Sequence, residues 1–221
     1  MKFTWLGQAG LLIEEKSYKI LVDPYLSNSV AKINPKNDRR IPVDERFLQI
    51  KPDMLVFTHN HLDHYDPETV QHYLGEDTAV TVLAPRSVWE EVRKHGGNNN
   101  YVLFNRHTRW TEGGITFTAV LAAHSDTTPI GVILNREYYI TGDTLYNEDI
   151  FEDLPEGLKA VFLPINGVGN NMNMTDAADF AKRTGAEKVV PLHWGLFDDL
   201  DPADFICENK VIPTIYKEIV L

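Results

Sequence analysis

The chain has 221 residues, of which 43% are hydrophobic and 24% charged, and its formal net charge is −11. This balance predicts one folded domain over residues 1–221 and excludes a disordered chain. The charge disfavours nucleic-acid partners, whose binding needs clustered Lys and Arg, and no apolar run reaches the roughly 18 residues of a spanning helix, so we expect a cytoplasmic protein without membrane contact.

The amino-terminal part alternates short β-prone runs with turn residues. It predicts three strands, Lys2 to Trp5, Leu11 to Glu14 and Tyr18 to Val22. A polar stretch from Leu26 to Arg46 follows and is too long for a turn. Loops of this length are usually functional or mobile, and this one would also offer a surface for a homo-oligomer.

The middle of the chain alternates strand and helix patterns. Met54 to Phe57 is a continuous apolar run, typical of a strand buried on both faces, and it leads directly into Thr58 and His59. The elements predicted after it are a helix from Pro67 to about Leu74, a strand from Val80 to Ala84, a helix from Arg86 to His95 and a strand from Tyr101 to Phe104.

The second half repeats this order of strands followed by β/α alternation. Its predicted strands are Ile115 to Leu121, Ile130 to Leu134, Tyr138 to Thr141, Ala160 to Leu163, Lys188 to Val190 and Thr214 to Val220. One helix is predicted from Thr175 to Arg183, with Thr175 as its N-cap. Two β/α halves that face each other through their sheets would form a four-layer αββα sandwich, although a three-layer α/β fold fits the same pattern.

Four side chains that can bind metal lie within six residues, directly after a buried strand. They are His59, His61, Asp63 and His64. Imidazole and carboxylate groups suit zinc, manganese or iron, and a loop lets them surround two ions. The alternative, an exposed polar turn, is disfavoured because such turns use Gly, Asn and Ser in preference to repeated His.

Three more candidates follow predicted strands further along the chain, namely His124, Asp143 and His193. Open α/β sheets place their sites at such strand ends. Taken singly, each has an ordinary explanation, because a lone His is often structural and an Asp after Gly often belongs to a turn. Together they supply the ligands that the first cluster lacks.

These residues resemble the metallo-β-lactamase superfamily, whose pattern is His-x-His-x-Asp-His, then a single His, a single Asp and a final His. The pattern is complete here, and the resemblance implies the αββα metallo-β-lactamase fold and a metal-dependent hydrolase. It also implies two divalent ions, with Zn or Mn expected and Fe also compatible. It assigns His59, His61 and His124 to one ion, Asp63, His64 and His193 to the other, and Asp143 to both.

The mechanism implied by the resemblance uses a hydroxide held by both ions to attack a carbonyl or phosphoryl centre. Asp63 would serve as a ligand and also accept or donate the proton, and Asp23 could orient a histidine. The other reading of Asp23 is that it closes a turn before Pro24.

Within the superfamily, the chain resembles the L-ascorbate-6-phosphate lactonase-like branch through Trp5 to Gly10, through Asp66 after the metal motif, and through Leu163 to Asn166. It is shorter than the ascorbate enzyme. The resemblance implies a small lactone or ester substrate, including a sugar-phosphate lactone. The alternatives are a phosphodiesterase or nuclease on the same fold, a diiron redox protein, which the intact His64 opposes, and a metal-binding protein without catalysis.

Substrate-binding candidates lie in two loops. Arg39 and Arg40 could bind a phosphate or carboxylate, since Arg pairs with such groups through two hydrogen bonds, or they could be solvated. Asn166 and Asn171 belong to an amide-rich loop and could bond substrate oxygens, or they could serve turn geometry.

Overall fold

The structure is a computed structural model that describes residues 1–126 and 128–221. Its strands are β1 Lys2–Gly7, β2 Gly10–Glu15, β3 Tyr18–Val22, β4 Met54–Val56, β5 Thr81–Ala84, β6 Asn100–Leu103, β7 Arg109–Glu112, β8 Ile115–Leu121, β9 Ile130–Leu134, β10 Tyr138–Ile140, β11 Ala160–Pro164, β12 Lys188–Leu192 and β13 Glu218–Ile219. The α-helices are α1 Ser29–Ile33, α2 Pro67–Val70, α3 Arg86–Val92 and α4 Met174–Thr184.

The strands form two mixed sheets. The first has the order β13-β1-β2-β3-β4-β5-β6 and the second the order β12-β11-β10-β9-β8-β7. Strands β3 to β6 run parallel, as do β10 to β12, whereas the other neighbours are antiparallel. Each sheet therefore joins a meander to a parallel β/α segment.

The two sheets pack face to face around a shared apolar core. Phe3 of the first sheet contacts Phe162 of the second, with ring centroids 4.8 Å apart. A second cluster includes Val88 and Val92 of α3 against the first sheet. A third includes Phe180 of α4 against the second sheet. Each fully buried side chain of this size contributes about 1.5–3 kcal/mol. The order of layers is helix, sheet, sheet, helix, so the predicted αββα sandwich is confirmed and the three-layer alternative is excluded.

Several predicted elements differ in extent from the observed ones. The predicted loop from Leu26 to Arg46 contains α1 and a 3₁₀ turn, Pro35–Asn37. The last strand is only Glu218–Ile219, because Thr214 to Lys217 form a turn with Tyr216 at a φ of 62°. Short or strained segments such as these carry little periodicity for a sequence pattern to reveal.

The start of α4 also differs from prediction. Its N-cap is Asn173, not Thr175, because the Asn173 side chain accepts hydrogen bonds from the backbone N–H groups of Thr175 and Asp176. Both residue types are good N-caps, so tertiary context decided between them. In the part of the chain that the structure describes, no helix has the length and apolar character needed to cross a bilayer.

Candidate metal centre

The predicted ligands converge because each one follows a strand that ends at the same side of the sandwich. His59 comes after β4, His124 after β8, Asp143 after β10 and His193 after β12. The backbone N–H of His193 donates to the Gln8 carbonyl in the turn between β1 and β2, at 3.0 Å. This bond joins the second sheet to the first at the site.

A first group of ligand atoms belongs to His59, His61 and His124, whose ring nitrogens lie within 4.8 Å of one another. His124 Nε2 is 3.0 Å from His61 Nδ1. A tetrahedral zinc ion with Zn–N bonds of 2.0–2.1 Å would hold its nitrogens roughly 3.3 Å apart. The spacing of this group therefore suits a bound cation.

A second group belongs to Asp63, His64 and His193, again within 4.8 Å of one another. His193 Nε2 lies 3.2 Å from Asp63 Oδ2 and 3.4 Å from His64 Nε2. The group adds a carboxylate to two imidazoles, which is also a favourable donor set for zinc, manganese or iron.

Asp143 contacts members of both groups. Its Oδ1 is 3.2 Å from His64 Nε2, and its Oδ2 is 3.3 Å from His193 Nε2 and 3.9 Å from His124 Nε2. A carboxylate in this position can bridge two cations. The geometry agrees with the role that the resemblance implies for Asp143.

Hydrogen bonds to the ring nitrogens that face away from the candidate metal centre fix the tautomers of His59 and His64. Thr58 Oγ1 donates to Asp23 Oδ2 at 2.5 Å, so it can accept from His59 Nδ1 at 3.1 Å. His64 Nδ1 lies 2.8 Å from the same Asp23 oxygen. With a metal bound, the proton of each ring then occupies Nδ1, and Nε2 keeps its lone pair for the centre.

His124 follows the same rule, because its Nδ1 lies 3.1 Å from the backbone carbonyl of Asn170. The inner nitrogen of His59 supplies the sharpest test of fit. His59 is fully buried, and its Nε2 has no hydrogen-bond partner among the described residues. A buried nitrogen lone pair without a donor is costly, and a metal ion satisfies it. The residues present therefore fit a metal centre.

Burial and charge set the protonation of the histidines without a cation. Burial lowers the pKa of His59 well below its usual value, and it also lowers that of His124. Burial opposes charge at His64 and His193, but the neighbouring carboxylates outweigh it. Asp143 and Asp23 raise the pKa of His64, and Asp143 and Asp63 raise that of His193 to about 10.

The two central carboxylates respond in the opposite direction. Burial tends to raise the pKa of Asp63 and of Asp143, yet the facing histidines His64 and His193 bring both pKa values below the usual range. Both groups are thus anionic near neutral pH. Two carboxylates and two imidazolium rings balance each other where cations would otherwise bind.

The backbone is strained at the site. His193 has a φ of 61°, Asp23 of 42° and Gln8 of 46°, all in the left-handed region that non-glycine residues seldom adopt. Gly142, directly before Asp143, also has a positive φ, and a Cβ there would lie 2.8 Å from the Thr58 Cβ. Such conformations persist where the surrounding packing holds functional groups in place.

The structure brings all seven predicted ligands together, while their role in metal binding stays a prediction. Asp23 lies behind them: its Oδ1 accepts from the Thr58 backbone N–H at 2.8 Å, and its Oδ2 accepts the Thr58 hydroxyl. Its carboxylate is thereby occupied in orienting His64 and His59. This is the orienting position predicted for Asp23.

The structure does not place Arg39 and Arg40 at the cavity beside the ligands. Arg39 donates to the Tyr25 carbonyl at 2.9 Å and to the Tyr216 hydroxyl at 2.8 Å, and Arg40 pairs with Asp199. Both guanidinium groups are satisfied by the protein itself. The expectation that they bind substrate is therefore corrected: they hold the loop after α1 against the rest of the chain.

Asn166 and Asn171 do line the cavity, but each also contacts a predicted ligand. Asn171 Nδ2 donates to Asp143 Oδ2 at 2.8 Å, and the Asn166 amide lies 3.0 Å from His193 Nδ1. With His193 Nε2 on a metal, Nδ1 would carry the proton, and the amide of Asn166 would accept it through its oxygen.

Gln8 is the residue that sequence reasoning missed. Its Nε2 donates to Asp63 Oδ2 at 3.1 Å, and its backbone carbonyl accepts from His193 and from the Trp5 indole. A polar residue between two glycines in the Gly7 to Gly10 turn was the available signal. Only the folded chain shows that this turn faces the metal motif.

The chain is similar to several known proteins in sequence and in fold. A UPF0173 metal-dependent hydrolase of Thermoplasma acidophilum is 27% identical over 241 residues, which cover 99% of this chain and 98% of that protein. Igni18, a metallo hydrolase of Ignicoccus hospitalis, has a TM-score of 0.71 at 22% identity, covering 92% of this chain and 88% of the other. The metallo-beta-lactamase fold protein YhfI of Bacillus subtilis has a TM-score of 0.72 at 18% identity, covering 100% and 99%.

The two solved structures establish the shared fold. The family model for the beta-lactamase superfamily domain matches residues 18–194, a range that includes every predicted ligand. That match covers most of the chain. This protein therefore belongs to the family of beta-lactamase superfamily domains.

Proposed function

We propose that this protein is a metal-dependent hydrolase that holds two divalent ions, zinc or manganese, and cleaves a small ester or lactone. The observation that carries the proposal is the convergence of five imidazole rings and two carboxylates around the unpaired, buried Nε2 of His59. Iron is compatible with the same donor set. Burying that nitrogen without a donor is costly, and a bound cation would satisfy it.

His59, His61 and His124 would hold one ion, Asp63, His64 and His193 the other, and Asp143 would contact both. Bound there, the ions would activate water near neutral pH and polarise the carbonyl that is attacked. The histidines bind as neutral rings, and Asp23 and Thr58 keep the protons of His64 and His59 on the outer nitrogens.

Asp63 is the residue that moves the proton in this proposal. It lines the cavity, and its side chain keeps 19% of its surface exposed, compared with 5% for Asp143. It would take a proton from the attacking water and return it to the leaving alkoxide, so that ester and water become acid and alcohol with no further reactant. Gln8 fixes the carboxylate in position through its Nε2–H bond.

Support for hydrolysis also comes from the relatives, because the Thermoplasma protein is named a metal-dependent hydrolase. The narrower resemblance of the sequence to the L-ascorbate-6-phosphate lactonase-like branch favours a lactone among small esters. Phosphodiesterase activity on the same fold is the second candidate, and it is an outcome of the test below.

The test is to measure metal content by mass spectrometry on protein purified without chelator, together with hydrolysis of a lactone panel and of bis(4-nitrophenyl) phosphate. Wild type should contain about two equivalents of metal and cleave lactones. His193→Ala should lose metal and activity. The matched control is His107→Ala, which removes a histidine that is 70% exposed and lies outside the centre. A wild type that cannot be loaded with metal would overturn the proposal, and cleavage of the phosphodiester alone would replace it with the second candidate.

A further inference from the structure

The cavity beside the candidate metal centre has a volume of about 470 Å³ and is lined by His61, Asp63, Asp143 and His193 together with residues outside the ligand set. This volume suits a small molecule. If the proposed function holds, the reacting group of the substrate lies at the metal centre. The remaining wall then decides what the rest of the substrate can be.

Outside the predicted ligands, the wall has no positive side chain to offer. Among the lining residues, all of which lie in the described ranges, there is no Lys or Arg, and Asp198 is the ionisable residue outside the ligand set. Asp198 Oδ1 accepts from the backbone N–H groups of Gly195 and Leu200, at 2.8 and 3.0 Å, so the carboxylate is fixed in place. An anionic group placed beside Asp198, away from the ions proposed at the centre, would meet like charge, in a protein whose net charge is already −11.

The same wall offers a hydrogen-bond acceptor. The Nδ2 of Asn171 donates to Asp143, which as a carboxylate can only accept, so the orientation of this amide is fixed. Its Oδ1 is buried and has no hydrogen-bond partner among the described residues. A buried acceptor left unpaired is unfavourable, and a hydroxyl or N–H of a ligand would satisfy it.

The outer part of the wall is apolar. Val30, Val168 and Phe197 line it, and Val168 is 63% exposed. The Phe197 ring packs edge-on against Tyr25, with centroids 5.7 Å apart, and is thereby held in position. Covering such a surface with an apolar group stabilises a complex by about 25 cal/mol per Å².

We infer that the part of the substrate outside the metal centre is uncharged, carries a hydrogen-bond donor for Asn171, and has a small apolar portion that packs on Val168 and Phe197. A substrate with a phosphate or carboxylate remote from the scissile bond does not match this wall. The inference rests on the proposed function and narrows it, since it selects a neutral lactone or ester over a sugar-phosphate lactone.

The experiment compares three lactones that differ in one substituent, γ-butyrolactones with a methyl, a hydroxymethyl or a phosphorylated hydroxymethyl group on the ring. Rates are followed at constant pH with metal-loaded protein. We expect the hydroxymethyl compound to have the highest kcat/KM and the phosphorylated compound a value lower by about tenfold or more. Binding of the matched cyclopentanones, which have no ester bond, is measured by calorimetry as a second readout.

Two variants locate the effect. Asp198→Asn keeps the side-chain oxygen that caps the turn and removes the charge. It should therefore reduce the difference in kcat/KM between the phosphorylated and hydroxymethyl compounds, which we call the gap. Asp204→Asn is the matched control, because Asp204 is an exposed acidic residue six positions further along the chain and is not part of the wall. It should leave the gap unchanged.

A higher kcat/KM for the phosphorylated lactone, or tighter binding of the phosphorylated cyclopentanone, would overturn the inference and leave the proposed function standing. If no lactone is cleaved, the proposed lactone hydrolysis fails, and the order of the cyclopentanone affinities alone decides whether the wall selects uncharged ligands. Tighter binding of the neutral compounds would then support the inference by itself.

Discussion

The group formed by His59, His61 and His124 and the group formed by Asp63, His64 and His193 occupy the same end of the sandwich, yet they differ in charge. In the first, burial lowers the pKa of His59 and His124. In the second, carboxylates raise the pKa of His64 and of His193. His59 and His124 therefore present neutral rings at neutral pH, whereas His64 and His193 hold protons.

This difference in charge explains how a metal-free form of the protein could remain folded. Two buried carboxylates would repel each other strongly if nothing opposed them, and the protonated rings of His64 and His193 supply the opposing charge. A cation entering the second group must displace these protons, whereas His59 and His124 of the first group hold none at neutral pH. The two groups should thus take up metal differently.

The largest effect is expected from Asp143→Ala, because Asp143 contacts members of both groups. Hydrolysis should fall by about 10³-fold or more, since losing several kcal/mol of metal-based stabilisation has that effect on rate. Metal content should fall below that of His61→Ala, which removes a ligand from the first group alone. Equal metal content in the two variants would contradict the shared position of Asp143.

The second largest effect should be a difference between the two groups in the pH dependence of their metal affinity. The raised pKa values of His64 and His193, about 10 for the latter, mean that both rings are protonated below that range. Each proton that metal must displace makes the apparent affinity rise about tenfold per pH unit. The apparent metal affinity of the second group should therefore increase from about pH 6 to about pH 8.

Calorimetric titration in buffers of different ionisation enthalpy measures the protons released. His61→Ala, which leaves the second group intact, should release close to two protons per ion at about pH 7, one from each of His64 and His193. His193→Ala, which leaves the first group, should release far fewer. Identical proton release by the two variants would refute the charge difference.

Asp23→Asn tests the hydrogen bonds behind both groups, because Asp23 orients His64 directly and His59 through Thr58. Loss of such a partner typically lowers metal affinity by 10–100-fold, and we expect about that loss. The matched control is Asp66→Asn. Asp66 is also buried, but it caps α2 instead of contacting a ligand. Equal affinities of the two variants would show that Asp23 serves only the turn before Pro24.

Asn166→Ala should have the smallest effect, restricted to the second group. It removes the amide beside His193 Nδ1, and a single hydrogen bond of about 1 kcal/mol corresponds to a roughly fivefold loss of affinity. Asn37→Ala removes a cavity amide that has no hydrogen bond to a predicted ligand among the described residues, and it should leave metal affinity unchanged. Competition with a chelator of known affinity measures both, and equal losses would contradict the role of Asn166.

Sequence patterns were sufficient where a residue type and its spacing carry the chemistry. The six-residue cluster from His59 to His64 follows a fully apolar run, and both the strand and the ligands were identifiable from these features alone. Sequence patterns did not predict the contacts of Arg39 and Arg40, because a guanidinium in a polar loop gives no sign of which carbonyl or carboxylate it will meet. They also missed β7, whose four residues are only partly buried.

Apolar periodicity and the pairing of His with Asp are local properties, so the fold class, the candidate donor set and the strand ends that carry it could be predicted from the sequence. Three features depend on tertiary packing, namely the hydrogen bonds of Asp23 to His64 and Thr58, the contact of Gln8 with Asp63, and the acidic and apolar character of the cavity wall. Gln8 and Asp63 are 55 residues apart along the chain, and nothing in either segment encodes their contact until the two sheets pack together.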